Sequence, residues 1–273
     1  MGFSAPAFAG ALFFCFLLHI VATRGGRDVE ILICGAEGKL GGAVRRAIAA
    51  RRDCRLVAGV DPREGHGEYP WFASLSDAPG AEVIIDASFH TALPDVVRGA
   101  LCRGAALVVA TTGHTAEEMA TLTDAAGQIP VFVSANYSLG AALLGEFARR
   151  AASVFPGGEI EIVEAHHTGK RDAPSGTALA LFEAVREVRP RARAHPGRVG
   201  SGVRRPEEVG IHSLRLGSLP GTHTVCVATG EETLTLTHTA LTPAVFASGI
   251  LRAATYVRGR APGLYTMSDL LYM

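Results

Sequence analysis

The residues of this chain best suited to proton transfer lie in one short segment, residues 164–178, which reads EAHHTGKRDAPSGTA. His166 or His167 can move a proton near neutral pH, because imidazole titrates in that range. Lys170 adds a positive point charge four residues after the first histidine. The segment therefore predicts an active site in which a proton donor lies beside a cation.

The elements around this segment predict an anion site in the same place. Residues 159–163 alternate like a half-buried strand, and residues 178–187 are typical of a helix. Ser175, Gly176 and Thr177 would then lie where a helix leaves its first N–H groups unpaired, at the positive end of its dipole. Such a helix start binds carboxylate or phosphate without a charged side chain.

A purely structural interpretation accounts for each residue taken singly. A histidine pair can be hydrogen-bonded structure, and residues 172–175 are ordinary helix-start chemistry. The convergence of an anion site, an acid and a cation favours function for the whole set. Adjacent histidines point different ways on an extended chain, and no cysteine or carboxylate spacing completes a ligand set, so we do not predict a metal site.

A second signal lies near the start of the chain. Residues 29–34 are a short apolar strand, residues 35–41 follow the pattern G-x-x-G-x-x-G, and residues 43–50 are helical in character. The next strand, residues 56–60, ends in Asp61, where an acid would accept the ribose hydroxyls of a dinucleotide. A glycine-rich turn with a strand before it, a helix after it and an acid at this distance predicts dinucleotide binding.

The choice of cofactor depends on two residues. Asp61 favours the ribose diol of NADH over the charged 2′-phosphate of NADPH. Arg63 would accommodate that phosphate, or would be a solvated loop charge. We expect NADH, with NADPH tolerated.

Together these motifs make the chain resemble the dihydrodipicolinate reductase (4-hydroxy-tetrahydrodipicolinate reductase) family over about residues 28 to 272. The segment at 164–178 is similar to that family's specific signature. Further matches follow in the family's order, at Thr111-Thr112-Gly113, Ser134-Ala135-Asn136-Tyr137-Ser138, Gly221-Thr222-His223-Thr224 and Leu236-Thr237-His238.

The resemblance implies reduction of a small cyclic dicarboxylate by NADH or NADPH in diaminopimelate and lysine biosynthesis. It implies that His166 is the catalytic acid/base and Lys170 the proton donor. The substrate's carboxylates would be bound by His167, Ser175, Gly176 and Thr177. The cofactor would be lined by Gly35, Ala36, Glu37, Gly38, Lys39, Leu40, Asp61, Ala110, Thr111, Thr112, Ser134, Ala135, Asn136 and Tyr137.

Four positions depart from the family's pattern. Ala110 replaces a glycine, Lys39 replaces an arginine, and Pro243 stands where a basic residue is expected. Glu37 puts an acid inside the glycine loop, where an anion must approach closely. None of these changes removes a catalytic group.

The order of elements predicts two domains in the α/β class. Strands and helices alternate from Val29 to Val133, which indicates an N-terminal Rossmann-like, doubly wound parallel sheet. Later strands lack helices between them and predict a second α+β domain built on a mixed or antiparallel sheet. We expect residues 28–136 plus 243–273 to form the dinucleotide-binding domain, and residues 137–242 the substrate-binding and oligomerisation domain. Within the latter, residues 189–205 are rich in Arg, Pro and Gly and predict an exposed loop.

Composition narrows the partners and the compartment. The 273 residues include 26 basic and 26 acidic side chains, so nothing suggests nucleic acid as a partner. Five cysteines without a C-x-x-C pattern are typical of a reducing compartment, and we expect a cytoplasmic protein. The family's habit implies a homotetramer.

The N-terminal segment, residues 1–27, is the exception to this picture. Residues 7–22 are almost wholly apolar, yet no basic residue precedes them as in a signal peptide. We hypothesise that translation begins near Val21, and expect no membrane partner; a membrane anchor is the alternative.

Two other functions remain open at this point. One is a different two-domain nicotinamide dehydrogenase acting on a linear amino or keto acid, which need not carry the His-His-Lys set. The other is a non-catalytic nucleotide-binding sensor, against which an intact acid and lysine argue.

Overall fold

The computed structural model describes residues 28–63, 65 and 67–272. Two sheets organise this part of the chain, one of seven strands and one of five. The predicted α/β class, with a Rossmann-like parallel sheet and a second mixed sheet, is confirmed. The hypotheses on residues 1–27 lie outside the described residues. Where the structure describes the chain, no helix combines the length and apolar character that a membrane span requires.

The larger sheet is parallel throughout. Its strands are β1 (Val29–Cys34), β2 (Cys54–Val60), β3 (Trp71–Phe72), β4 (Val83–Asp86), β5 (Ala106–Val109), β6 (Pro130–Val133) and β12 (Gly263–Tyr265). Their spatial order is β12-β6-β5-β4-β1-β2-β3, so the direction of winding reverses between β1 and β4. Ligands of open parallel sheets bind in the crevice at such a reversal, beyond the carboxyl ends of the strands.

Helices cover both faces of this sheet. One face is covered by α1 (Lys39–Ala49), α6 (Ala244–Val257) and α7 (Met267–Leu271), and the other by α2 (Leu93–Arg103) and α3 (Ala116–Ala126). Side chains alternate along a strand, so Ile31 and Ile33 enter the first core while Leu32 and Cys34 enter the second. This burial on both faces explains why the strands are continuous apolar runs.

The smaller sheet is mixed. Its strands are β7 (Glu159–His166), β8 (Arg193–Pro196), β9 (Glu208–Arg215), β10 (Thr222–Ala228) and β11 (Thr233–Thr239), in the order β11-β10-β7-β9-β8. The central strand β7 is antiparallel to β10 and parallel to β9. Helices α4 (Leu139–Val154) and α5 (Gly176–Val188) cover one face, and Leu181 and Phe182 of α5 share a core with Ile160 and Ile162 of β7.

The structure corrects three expectations about these elements. The predicted exposed loop at 189–205 contains β8, because Arg193–Pro196 forms a parallel ladder with β9 that composition does not reveal. Strand β7 continues to His166 rather than ending at Val163, since its pairing with β9 reaches Arg215. Helix α5 begins at Gly176, two residues earlier than predicted, because Ser175 caps it.

Candidate active site

The end of β7 places two side chains of the signature segment on its buried face. Glu164 and His166 are two residues apart, so the alternation of a strand directs both inward. Glu164 is fully buried, and His166 is 8% exposed. His167, the next residue, is exposed, as expected for adjacent residues on an extended chain.

Glu164 is bonded on both carboxylate oxygens. His166 Nδ1 lies 2.5 Å from Oε2, and the Ser175 amide donates to Oε1 at 3.2 Å. The guanidinium of Arg215 donates to both oxygens, at 2.9 and 2.8 Å. Burial raises the pKa of this carboxyl, but hydrogen bonds led by that of Arg215 outweigh it and lower the pKa to about 2. Glu164 is therefore ionised and can only accept hydrogen bonds, so His166 carries a proton on Nδ1 and donates it to this carboxylate.

The other ring nitrogen of His166 faces Gly221. A Cβ added at Gly221 would lie 3.0 Å from His166 Nε2. Only a residue without a side chain leaves this approach open. Because Nδ1 is held by Glu164, Nε2 is the atom of His166 that is available to a bound molecule.

A second histidine lies beneath the first. The His223 ring meets that of His166 edge to face, with centroids 5.1 Å apart, and its Nε2 lies 3.2 Å from Ser175 Oγ. Burial, followed by the proximity of His166, lowers the pKa of His223 to about 4, so it is neutral at pH 7. Its Nδ1 is buried and has no hydrogen-bond partner among the described residues.

Glu164, His166 and His223 bring one potential metal-ligand atom each to within 4.8 Å of one another. Sequence spacing did not predict this convergence, because His223 comes from a different strand, β10. A cation bound there would have to displace Arg215, whose positive charge already occupies both oxygens of Glu164.

Lys170 lies on the loop between β7 and α5 with its side chain half-buried. Its Nζ is 2.8 Å from Asp172 Oδ1. This bond, together with a hydrogen bond from the Gly176 amide, lowers the pKa of the Asp172 carboxyl. A carboxylate therefore lies between the lysine and the first amide of α5, which are the donors that the sequence predicted for an anionic ligand.

The start of α5 divides its three predicted residues into two roles. Ser175 is 1% exposed and is engaged within the protein, since its hydroxyl accepts from the Ala178 amide at 3.2 Å. Gly176 is exposed and Thr177 is half-buried. Thr177 Oγ1 accepts a hydrogen bond of 2.8 Å from Asn136 Nδ2, which follows β6 of the parallel sheet. The first turn of α5 and the segment that follows β6 of the larger sheet are therefore in contact at this point.

A cleft of about 1150 Å³ lies where the winding of the parallel sheet reverses. The glycine loop forms one wall, and Gly35 has a φ of 77°, which only glycine adopts readily. A Cβ on Gly41 would lie 2.1 Å from the Gly35 carbonyl oxygen, so the helix packs directly on the turn. This is the close packing that the third glycine of the dinucleotide fingerprint allows, and the residues present fit a nicotinamide cofactor.

Asp61 and Arg63 form an ion pair at the edge of this cleft. Arg63 donates from Nε and Nη2 to the two carboxylate oxygens, each at 2.9 Å, and the Glu37 amide donates to Oδ2 at 3.0 Å. Asp61 is 2% exposed. Burial raises the pKa of Asp61, but the bonds from Arg63 outweigh it and lower the pKa. The Arg63 side chain is itself 61% exposed, so it is a solvated charge that is also paired with Asp61.

The acid in the glycine loop is turned away from the cleft. Glu37 accepts a hydrogen bond from the Tyr69 hydroxyl. It also forms an ion pair with Arg45, whose Nη2 lies 3.0 Å from Glu37 Oε1. Arg45 also stacks on the Tyr69 ring, 4.6 Å from its centroid, and donates from Nε to the Ala36 carbonyl. The Glu37 side chain is only 10% exposed. Its charge is thus balanced locally and does not face an approaching phosphate.

The predicted cofactor residues fall into two groups. The cleft is lined by Gly35, Gly38, Lys39, Leu40, Asp61, Ala110, Thr111 and Thr112. The remaining predicted residues lie outside its lining, namely Ala36, Glu37, Ser134, Ala135, Asn136 and Tyr137. Of these, Tyr137 is 4% exposed, and its hydroxyl donates to the Val109 carbonyl at 2.6 Å.

Three site residues were given no role from the sequence, although two of them lie in segments that match the family: Glu164, Arg215 and His223. Glu164 had a usable signal, because it directly follows the predicted strand 159–163 and is two residues before His166. Arg215 and His223 are on strands paired with β7, and their proximity depends on registers that the sequence does not give.

Comparison with known proteins matches nearly all of the described chain to one family. Residues 29–137 match the family described as dihydrodipicolinate reductase, N-terminus, and residues 140–271 match dihydrodipicolinate reductase, C-terminus. The 4-hydroxy-tetrahydrodipicolinate reductase of Caldanaerobacter subterraneus subsp. tengcongensis is 41% identical over 246 residues, which cover 89% of this chain and 98% of the relative. That of Akkermansia muciniphila is 39% identical over 248 residues, with 89% and 98% covered.

Solved structures show the same likeness. A dipicolinate-bound dihydrodipicolinate reductase from Paenisporosarcina sp. TG-14 superposes with a TM-score of 0.76 at 27% identity, covering 88% of this chain and 97% of that one. A diaminopimelate dehydrogenase from C. glutamicum superposes with a TM-score of 0.54 at 16% identity, covering 89% and 93%. The second likeness shows the fold alone.

Proposed function

This chain belongs to the dihydrodipicolinate reductase family, and we propose how its residues carry out the NAD(P)H-dependent reduction of 4-hydroxy-tetrahydrodipicolinate that the family performs. The observation that supports the assignment of residues is the convergence of His166, Lys170 and the start of α5 in one loop. The bond from Asn136 to Thr177 brings that loop to the carboxyl end of β6, in the parallel sheet.

One carboxylate of the substrate binds where the side-chain carboxylate of Asp172 now lies. Lys170 and the Gly176 amide already hold one carboxylate there, so they have the geometry to hold another. The exposed His167 and the Thr177 hydroxyl bind the second carboxylate. Ser175 acts through its cap on α5, since its amide and hydroxyl are already engaged.

Proton transfer is assigned to His166 and Lys170. His166 presents Nε2 past Gly221, while Glu164 holds its Nδ1. Lys170 delivers the proton that must follow reduction of the substrate ring, and before substrate binds, its pairing with Asp172 keeps the ammonium in the loop. When bound, the reduced nicotinamide supplies the hydride.

The cofactor is held in the cleft beside the glycine loop, by the residues that line it. We propose NADH as the preferred cofactor with NADPH tolerated, because the buried Asp61 suits a ribose diol while Arg63 is positioned to meet a 2′-phosphate. Residues 28–136 with 243–273 form the cofactor domain, and residues 137–242 form the substrate and oligomerisation domain. We further propose a cytoplasmic homotetramer.

A coupled assay tests this function. Dihydrodipicolinate synthase would generate the unstable substrate in place, and the absorbance of NADH or NADPH would report its consumption. We expect turnover that requires the synthase, with no turnover of a panel of linear amino and keto acids. Cofactor binding without synthase-dependent turnover would contradict the proposal and favour a nucleotide sensor, whereas turnover of a linear acid would favour another dehydrogenase.

A further inference from the structure

Arg215 occupies a position that the proposed chemistry does not yet use. It is the last residue of β9 and the register partner of His166 in the parallel ladder with β7. Its side chain reaches along the ladder to Glu164, two residues back, and donates to both carboxylate oxygens at 2.9 and 2.8 Å. This two-point geometry suits guanidinium and not ammonium.

The same guanidinium also donates a hydrogen bond to the loop between β7 and α5. Its Nη2 donates to the backbone carbonyl of Asp172 at 2.5 Å. Asp172 is the residue whose carboxylate pairs with Lys170. One side chain on a neighbouring strand is therefore bonded next to each of the two groups assigned to proton transfer.

The burial of Glu164 makes this contact important. A fully buried carboxylate is strongly unfavourable without a charged partner. Among the described residues, Arg215 is the cation of fixed charge bonded to Glu164, and the hydrogen-bond partners of this carboxylate also include His166, Ser213 and the Ser175 amide. Without Arg215, the carboxylate would take up a proton, which would weaken its bond to His166 Nδ1, or move toward water, which would break that bond.

We propose that Arg215 is a positioning residue of the reduction, which acts by holding Glu164 ionised against His166 and by fixing the loop arm that carries Lys170. The inference rests on the proposed function, because it assigns Arg215 a role through the two proton-transfer groups. Among the described residues, the hydrogen bonds of Arg215 go to Glu164, Leu214 and Asp172, none of which belongs to the glycine loop, so its role is separate from cofactor binding.

The test compares Arg215→Met, Arg215→Lys and Glu164→Gln with the wild-type protein in the synthase-coupled assay. We expect Arg215→Met to lower kcat by about 10²-fold and Arg215→Lys by about tenfold, as for lost orientation of a proton donor. The Kd for NADH, measured by fluorescence titration without turnover, should change less than about threefold. Arg186→Met is the matched control, since Arg186 forms an exposed pair with Glu183 on α5.

Double variants separate positioning from stability. If Arg215 acts largely through His166, then in a His166→Gln background the effect of Arg215→Met on kcat should shrink from about 10²-fold to less than about tenfold. A loss that arises only from weaker folding would be the same in both backgrounds. The double variant Glu164→Gln with Arg215→Met should lose no more activity than the worse single variant.

Two results would overturn the proposal: a folded Arg215→Met protein with kcat within about threefold of wild type, or losses that multiply in both double variants. If Arg215→Met does not fold, Arg215→Lys and Glu164→Gln decide the matter by the same criteria. A wild-type protein with no synthase-dependent turnover would instead contradict the proposed function itself.

Discussion

Asn136 Nδ2 donates a hydrogen bond of 2.8 Å to Thr177 Oγ1, and this contact joins the segment after β6 to the first turn of α5. The other end of the same amide accepts from the Ser138 backbone at 2.8 Å. Asn136 is thus held at both ends, and it orients the Thr177 hydroxyl toward the site where a carboxylate would bind.

Replacement of Asn136 by Ala should raise the KM for the dicarboxylate about tenfold, because a hydrogen bond that orients Thr177 is worth roughly 1 kcal/mol or more. The Kd for NADH should change less, since Asn136 lies outside the lining of the cleft. Steady-state kinetics with a separate cofactor titration would check this. Thr229→Ala, in an exposed turn of the same domain, is the control. A larger change in the Kd for NADH than in the substrate KM would contradict it.

Removal of either proton-transfer group should abolish most turnover. His166→Gln and Lys170→Ala should each lower kcat by about 10²-fold or more, as expected for a positioned proton donor. His212→Gln is the matched control, because His212 pairs with Glu161 on the same sheet and has no assigned role. Turnover near the wild-type rate in both site variants would refute the assignment of these residues.

Arg63 should control discrimination between the cofactors. In Arg63→Ala the buried Asp61 carboxylate would face a 2′-phosphate without the cation that now pairs with it. The KM for NADPH should therefore rise about tenfold or more, while the KM for NADH changes much less. Arg55→Ala, which removes an exposed ion pair with Glu30 outside the lining of the cleft, is the control. Equal rises for both cofactors would argue against this role.

Gly221 should be required for access to His166 Nε2. In Gly221→Ala the added Cβ would lie 3.0 Å from that atom, so kcat/KM should fall about tenfold while the Kd for NADH is unchanged. Gly217→Ala is a matched control, because Gly217 also has a positive φ but has no atom within 4 Å of an added Cβ. An equal fall in both variants would assign the effect to the backbone.

His223 should make stability depend on pH. Its pKa is lowered from 6.5 to about 4, so between these values the unfolded chain binds a proton that the folded protein does not. Above pH 6.5 the proton uptake of His223 does not reduce the free energy of unfolding. As the pH falls from 6.5 toward 4, this uptake by the unfolded chain lowers the free energy of unfolding by roughly 3 kcal/mol.

Urea unfolding at intervals across this range would measure the effect. His223→Gln should show a flatter dependence of the free energy of unfolding on pH, and the half-buried His195 on β8 provides the control variant His195→Gln. A slope in His223→Gln equal to that of the wild type would assign the acid sensitivity to other groups.

Local patterns in the sequence predicted most of the fold. Strand β1 was predicted with the bounds observed, Val29–Cys34, because a short apolar run that ends at a glycine turn is typical of a buried strand. Strand β8 was missed, since its polar residues Arg193–Pro196 are extended only through pairing with β9. Propensity gives little information about such edge strands, whose conformation is set by the neighbour.

Some residues of the candidate site were likewise predicted from local sequence, and others were not. His166 and Lys170 were predicted because they lie close together in sequence on one loop. The contacts of Arg215 and His223 depend on strand register, and the Asn136–Thr177 bond depends on how two sheets meet. None of these distances follows from spacing along the chain. The orientation of Glu37 was also left open, because its partner Tyr69 lies beyond the next strand.

The cluster formed by Glu37, Arg45 and Tyr69 has a consequence for engineering this protein. The segment that follows Asp61 supplies the phenol that donates a hydrogen bond to the acid of the glycine loop, while Arg45 balances its charge. Exchanging this segment for that of another reductase, to alter cofactor choice, would remove this donor from a carboxylate that is only 10% exposed. A graft that transfers Tyr69 as well, or that replaces Glu37 by a residue without charge, avoids this loss.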